Sequence, residues 1–150
     1  MKNKAKMFGI IALAAVIALF TAACDNSGGG GGSEPGTPCL LFTLINGNTT
    51  YSVAMGTATA TEIVIPAAYE GLPVTAIAED GFNADTYPAA ANITSITITN
   101  SVTTIGGMAF RNWTVSQTIT VQGKANQTAA DTAWGSDWRS FCNANITYQP

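Results

Sequence analysis

Internal repetition in the C-terminal part of the chain is the feature that most limits its fold. The spacing of Val, Ile and Phe in residues 74–82 recurs in residues 102–110, with all three positions shifted by 28. Short segments with two aliphatic residues around one outward residue, the alternation of a β-strand, occur at 63–65, 96–98 and 119–121. Without insertions at 69–73 and 84–91, one unit has about 23 residues. Such a unit forms one turn of a solenoid, in which a return segment packs Val, Ile and Phe behind a short strand.

Both ends of the repeat region are atypical, as the terminal units of a repeat array should be. On the N-terminal side, two short apolar segments flank Asn46-Gly47, which predicts a β-hairpin that covers the first coil. On the C-terminal side the final unit lacks its return segment. We expect Trp134 and Trp138 to close the open end of the core there, and Ile146 to lie in a fourth rung.

The second unit carries a family resemblance. Residues 96–110 read ITITNSVTTIGGMAF. This segment resembles the repeat of BspA-like leucine-rich repeat proteins of bacterial cell surfaces, approximately IxIPxSVTxIGxxAF, with Thr99 in place of Pro. The first unit keeps Pro66 but has Ala78 where Gly is usual and Gly81 where Ala is usual. The resemblance spans roughly residues 42–121 and implies a short, β-rich leucine-rich-repeat solenoid of about three to four coils with an N-terminal hairpin cap.

The first 38 residues have the composition of a targeting segment and a tether. Three lysines precede an uncharged apolar run that ends in small residues, which predicts a helical secretory signal peptide at 1–23. Residues 19–24, LFTAAC, resemble a lipoprotein box, which implies cleavage before Cys24 and acylation of its thiol. An uncleaved membrane anchor is the alternative, but the apolar run is shorter than the roughly 20 residues of a spanning helix. Residues 24–38 are predicted to be a disordered Gly-rich tether, and residues 39–150 the repeat domain.

Charge and residue types exclude several classes of function. Without the signal peptide, the chain has three Lys and Arg residues and nine Asp and Glu residues, which gives a net charge of −6. An acidic chain with scattered cations offers no patch for phosphate groups, so nucleic acid is not expected as a partner. The chain has no histidine, which removes His-based nucleophilic catalysis and His-ligated zinc. We expect no enzyme activity, no cofactor and no metal site.

The cysteines leave one alternative open. With Cys24 acylated, Cys39 and Cys142 remain, near opposite ends of the predicted domain. An exported compartment permits a disulfide between them if those ends meet. The other interpretation is that both are small, partly buried thiols.

The strand face is the predicted binding surface, because outward residues of successive coils line up there. One column comprises Val64, Thr97, Thr120 and Thr147, and its neighbour comprises Glu62, Ser95, Thr118 and Asn145. These side chains would offer hydroxyls and a carboxylate to a ligand; the plainer interpretation is that Thr and Val suit exposed strands. Three aromatic residues in or beside irregular loops are further candidates for partner contact: Tyr69, Tyr87 and Trp113. The alternative for these three is packing over coil edges.

Two functional hypotheses follow. BspA-like proteins are associated with adhesion to host matrix or to other bacteria, so the resemblance implies a membrane-anchored cell-envelope lipoprotein that displays its repeat domain for binding a host or bacterial surface protein or glycan. The alternative is a structural or accessory lipoprotein that faces the periplasm and has no host ligand. In both hypotheses a lipid holds the chain to the outer or cytoplasmic membrane; in the first the domain is exposed at the cell surface.

Overall fold

The computed structural model describes residues 36–150, so the predicted signal peptide, Cys24 and most of the predicted tether lie outside the described residues. Within this range the chain is β-rich, as the sequence predicts. The strands are β1 (Leu41–Ile45), β2 (Thr50–Ala54), β3 (Glu62–Val64), β4 (Ala68–Tyr69), β5 (Leu72–Ile77), β6 (Ser95–Ile98), β7 (Thr104–Ile105), β8 (Thr118–Gln122) and β9 (Asn145–Gln149). One α-helix, α1 (Gln127–Trp134), and two short 3-10 helices, Pro88–Asn92 and Ser136–Arg139, complete the described part. None of its helices is long and apolar enough to cross a membrane.

The aliphatic segments of the repeat form a four-stranded parallel sheet in the order β3-β6-β8-β9. Their inward positions lie directly opposite one another: Ile63 pairs with Ile96, Ile96 with Ile119, and Ile119 with Ile146. The side chains of Ile63, Ile96 and Ile119 are buried in the hydrophobic core. Alternating aliphatic residues therefore produce strands that stack in register, which is compatible with the repeat fold expected from the sequence.

The repeated Val and Ile positions lie in a second sheet. Strands β2, β5 and β7 are parallel, with Ile77 opposite Ile105, which is the 28-residue shift read from the sequence. Phe82 and Phe110 are buried behind them with ring centroids 5.9 Å apart. The turns between units also bond to one another, as the Phe82 amide donates to the Ala109 carbonyl at 2.8 Å. The predicted packing of Val, Ile and Phe is confirmed, but the return segments also pair as strands, which the sequence analysis missed.

The predicted N-terminal hairpin is present. Strands β1 and β2 are antiparallel, with Ile45 opposite Thr50. In the turn between the two strands, Asn46 and Gly47 have φ angles of 52° and 67°. This left-handed backbone is the conformation that an Asn-Gly signal favours. The hairpin is part of a sheet, because β2 also pairs in parallel with β5.

Ordered contacts begin before the predicted start of the domain at residue 39. The Thr37 amide donates to the Val64 carbonyl at 3.0 Å, and the Val64 amide donates to the Thr37 hydroxyl at 2.8 Å. The end of the predicted tether therefore bonds to the free edge of β3. The two bonds satisfy backbone groups that an edge strand otherwise exposes.

The C-terminal end of the core is closed by aromatic side chains, as predicted. Trp134 and Trp138 are buried, and the Trp138 ring meets Phe110 edge-on at 5.9 Å between centroids. Both Trp side chains lie on or beside α1, a helix that the sequence analysis did not predict. The Asn126 side chain caps that helix by accepting a hydrogen bond from the Ala129 amide at 3.0 Å.

The predicted alternative of a disulfide between Cys39 and Cys142 is not realised. Cys142 is a free, half-buried thiol. Burial raises the pKa of the Cys142 thiol above its ordinary value. A raised thiol pKa lowers the fraction of reactive thiolate at neutral pH.

One carboxylate joins α1 to the segment that follows it. Asp131 accepts hydrogen bonds from the Trp138 indole at 3.0 Å and from the Arg139 Nε and Nη2 atoms at 3.1 and 2.7 Å. The hydrogen bonds from Arg139 hold the pKa of Asp131 below its ordinary value, against the opposing effect of burial. Because the folded-state pKa is lowered, this stabilisation is complete above the ordinary pKa and is lost as the pH falls through the folded-state value.

Asp131→Asn is therefore expected to destabilise the protein at neutral pH and to weaken its acid sensitivity. We expect a loss of about 1 kcal/mol in the free energy of unfolding at neutral pH, kept small because both partners remain partly exposed. The difference from wild type should begin to shrink at the ordinary carboxyl pKa of about 4 and should disappear as the pH falls through the lower folded-state value, where the wild-type carboxylate takes up a proton. Denaturant titrations at several pH values measure this, and a difference independent of pH would contradict the role given to the carboxylate charge.

Candidate functional site

The outward residues of the four-stranded sheet form two columns on one face of the molecule. Strand pairing places Val64 opposite Thr97, Thr97 opposite Thr120, and Thr120 opposite Thr147. The second column, in the same register, comprises Glu62, Ser95, Thr118 and Asn145. Adjacent strands of a sheet lie about 4.8 Å apart, so each column presents closely spaced side chains. The structure thus brings all eight predicted strand-face residues together, and we call this surface the strand face.

The strand face is accessible to solvent and stands on a packed core. Glu62, Asn145 and Thr147 are exposed, and the other five side chains are partly exposed. The residues between them point inward, and those of β3, β6 and β8 are almost wholly buried. Because buried aliphatic side chains on alternate positions fix each strand, the outward side chains start from a rigid backbone.

Few of the polar side-chain atoms on the strand face form hydrogen bonds within the protein. The Thr147 hydroxyl donates to the Thr120 hydroxyl at 3.2 Å, and the Asn145 amide donates to the Val115 carbonyl at 2.6 Å. Within the described chain the hydroxyls of Ser95, Thr97 and Thr118 make no hydrogen bond to protein. These three hydroxyls can therefore donate to and accept from a ligand without breaking an internal bond.

The strand face extends further than the sequence analysis recognised. Gln122 lies opposite Gln149 at the ends of β8 and β9, two residues beyond Thr120 and Thr147. Both Gln side chains point outward by the same alternation, since Thr118, Thr120 and Gln122 are all partly exposed and the residues between them are buried. The period-two pattern that located the two columns could have located these amides as well.

The chemistry of the strand face is that of a binding surface. It combines hydroxyls, carboxamides and the carboxylate of Glu62 on a shallow sheet. Among the described residues no group of His, Cys, Asp and Glu side chains is arranged to hold a metal ion. Hydrogen bonding across many shallow contacts is the interaction that such a surface can offer a partner.

The three predicted aromatic contact residues differ in their placement. Tyr69 is 38% exposed and stacks on Phe42 with a centroid distance of 4.0 Å. Tyr87 is partly buried and packs against the core. Trp113 is wholly buried, and its indole nitrogen donates to the Phe82 carbonyl at 2.8 Å. The prediction of Trp113 as an exposed contact residue is wrong, because the core satisfies both its ring and its one donor.

Comparisons with known proteins give little similarity in sequence. No protein-family model matches the chain, and no curated protein matches it. Among solved structures, the crystal structure of the leucine-rich repeat protein TpLRR of T. pallidum is similar, with a TM-score of 0.49 and 14% sequence identity. That match covers 74% of this chain and 48% of the other, so the chain spans about half the length of the solved structure it matches.

Proposed function

We propose that this chain is a leucine-rich-repeat lipoprotein of the cell envelope whose strand face binds a protein or glycan. The two in-register columns of outward side chains on the strand face carry this proposal. Four stacked strands with a return segment behind them, together with the BspA-like residues 96–110, support a short solenoid of about three to four coils. Adhesion to a host or bacterial surface is the use that the resemblance favours.

The strand face suits recognition because it is rigid and its hydroxyls are free to bind. A preformed surface loses little conformational entropy when a partner docks, and this increases the affinity obtained from each contact. Side chains such as those of Thr97 and Thr118 contribute weakly one at a time. Several neighbouring contacts along each column are therefore needed for specific binding.

A charge-bearing double variant tests the strand face. Thr97→Lys/Thr120→Lys places two long cations in the centre of one column and is expected to weaken binding at least tenfold, or about 1.4 kcal/mol. The matched control, Thr104→Lys/Thr128→Lys, makes the same charge change at two exposed threonines outside the strand face. Binding to a panel of extracellular-matrix proteins and bacterial glycans measures the effect. Equal losses in both variants would contradict a role for the strand face.

Anchoring depends on Cys24, which lies outside the described residues. Acylation there would place the domain on a tether with a reach on the order of 20 Å, enough to hold it clear of lipid headgroups. Metabolic labelling with a fatty acid and mass measurement of the mature N-terminus test this step. We expect labelled protein that begins at Cys24 and unlabelled precursor for Cys24→Ser; an unlabelled wild-type protein would contradict lipidation.

The second candidate function is that of an accessory lipoprotein facing the periplasm. It differs from the first in the location of the domain, which would lie in the periplasm and not at the cell surface. Protease added to intact cells should digest the domain if it is displayed at the surface. Complete protection, with digestion after the outer envelope is permeabilised, would favour the accessory function and exclude adhesion.

A further inference from the structure

An aromatic cluster lies at the hairpin end of the molecule, on elements separate from the strand face. The rings of Phe42 and Tyr69 stack with an interplanar angle of 7°, and Tyr51 meets Tyr69 edge-on at 5.2 Å between centroids. The three residues come from β1, β2 and β4. Leu41 and Leu44 border the cluster and are 50% and 42% exposed, so an apolar surface faces solvent here.

A carboxylate is held beside these rings by an unusual turn. Glu70 and Gly71 connect β4 to β5, with Tyr69 opposite Leu72, and their φ angles are 47° and 80°. Two successive left-handed residues favour Asn-Gly, and a Glu at the first position is strained by about 1 kcal/mol. The Tyr51 hydroxyl donates to Glu70 Oε2 at 3.1 Å, which orients the carboxylate. Such strain persists where the surrounding structure holds it, and it occurs often at ligand sites.

The charge of Glu70 has no counterpart in the described chain. Its three cations are engaged elsewhere: Arg111 lies 3.4 Å from Asp85, Arg139 lies 2.7 Å from Asp131, and Lys124 lies over the Trp134 ring. Residues 36–150 contain seven carboxylates and these three cations, so the described part is acidic. A partner with positive charge is therefore the electrostatic complement of this surface.

We propose that Phe42, Tyr51, Tyr69 and Glu70, with the flanking Leu41 and Leu44, bind an arginine side chain with a neighbouring apolar residue on a partner protein. We call these six residues the aromatic–carboxylate patch. The guanidinium group is planar and stacks on an aromatic face while it donates hydrogen bonds to a carboxylate. The exposed ring of Tyr69 and the oriented carboxylate of Glu70 supply both contacts. Leu41 and Leu44 supply apolar contacts for the neighbouring residue, and the adjoining open cleft has a volume of about 640 Å³.

The test uses the purified full chain in detergent and two short peptides. The probe is acetyl-Leu-Arg-Leu-amide, and its control carries citrulline, which keeps the shape of arginine without the charge. We expect the arginine peptide to shift the NMR resonances of Tyr69 and Glu70, and the citrulline peptide to bind roughly tenfold more weakly. Raising the salt concentration should weaken binding of the arginine peptide but not of the citrulline peptide, because added ions screen charge pairs.

Three variants separate the contribution of the Glu70 charge from those of a second carboxylate and of the Tyr69 hydroxyl. Glu70→Gln keeps an acceptor for Tyr51 and should weaken binding of the arginine peptide roughly tenfold. Glu79 is an exposed carboxylate outside the patch, and Glu79→Gln should change the affinity for the same peptide less than about twofold. Tyr69→Phe keeps the ring and should bind like wild type. Equal binding of both peptides, or equal effects of Glu70→Gln and Glu79→Gln, would overturn the proposal. A chitin oligosaccharide that shifts the same resonances while the arginine peptide does not would overturn it in favour of a glycan site.

Discussion

Trp138→Ala is expected to lower the free energy of unfolding by about 3–5 kcal/mol. The Trp138 side chain is wholly buried and meets two further rings, Phe110 at 5.9 Å and Trp134 at 5.4 Å between centroids. Its indole nitrogen also donates to Asp131 at 3.0 Å. Truncation would open a cavity at the end of the core and remove one of the hydrogen bonds that Asp131 accepts. Since domains of this size are stable by only about 5–15 kcal/mol, much of the stability would be lost.

Phe141→Ala is the matched control for the loss of an aromatic ring in the same region. Phe141 is 69% exposed, and the Arg111 guanidinium lies 5.2 Å from its ring centroid. An exposed cation–π contact is worth about 0.5–1 kcal/mol, so the control should lose no more than that. Thermal and denaturant unfolding compare the two variants. Similar losses for Trp138→Ala and Phe141→Ala would show that Trp138 does not close the core.

Gly106→Ala is expected to cost about 3 kcal/mol, because there is no room for a methyl group. A Cβ atom at Gly106 would overlap the backbone of Glu79 and lie 2.9 Å from the Ala78 carbonyl carbon. Backbone atoms cannot rotate away as a flexible side chain does, so two successive repeats would have to separate. Gly106 also donates its amide to the Ile77 carbonyl at 2.9 Å, a bond between the same repeats. The substitution therefore tests how tightly the repeats stack.

The neighbouring glycine provides the control. A Cβ atom at Gly107 would have as its nearest neighbour the Asp137 Cβ atom, 3.9 Å away, which is an ordinary contact. Gly107→Ala should change the free energy of unfolding by no more than about 0.5 kcal/mol. Denaturant unfolding of both variants measures the difference. A Gly106→Ala protein as stable as Gly107→Ala would contradict the close approach of the repeats.

Local alternation was sufficient to predict the strand face. Because side chains on a strand alternate with a period of two, Ile96 and Ile98 fixed which residues point inward, and Thr97 then had to point outward. Equivalent segments of successive repeats pair in parallel, so the register across β3, β6, β8 and β9 followed from the repeat itself. The hairpin followed from Asn46-Gly47, whose backbone preference is local.

Features that depend on tertiary contacts were not predictable in this way. Helix α1 replaces the expected return segment, and its residues 127–134 contain two Thr and no long aliphatic side chain to mark an apolar stripe. Trp113 lies between polar loop residues, and only the fold reveals the cavity that its ring fills. Glu70 lies in the insertion at 69–73, and its position beside Tyr51 depends on how the β4–β5 turn packs against β2.

Binding by the strand face is the central claim, and one comparison tests it most directly. The wild-type full chain, the Thr97→Lys/Thr120→Lys variant and the Thr104→Lys/Thr128→Lys control are measured against the same panel of matrix proteins and bacterial glycans, after unfolding curves show that all three are equally stable. We predict at least one ligand that binds wild type and control alike and binds the strand-face variant at least tenfold more weakly. A ligand bound equally by all three proteins, or no binding anywhere on the panel, would contradict the claim.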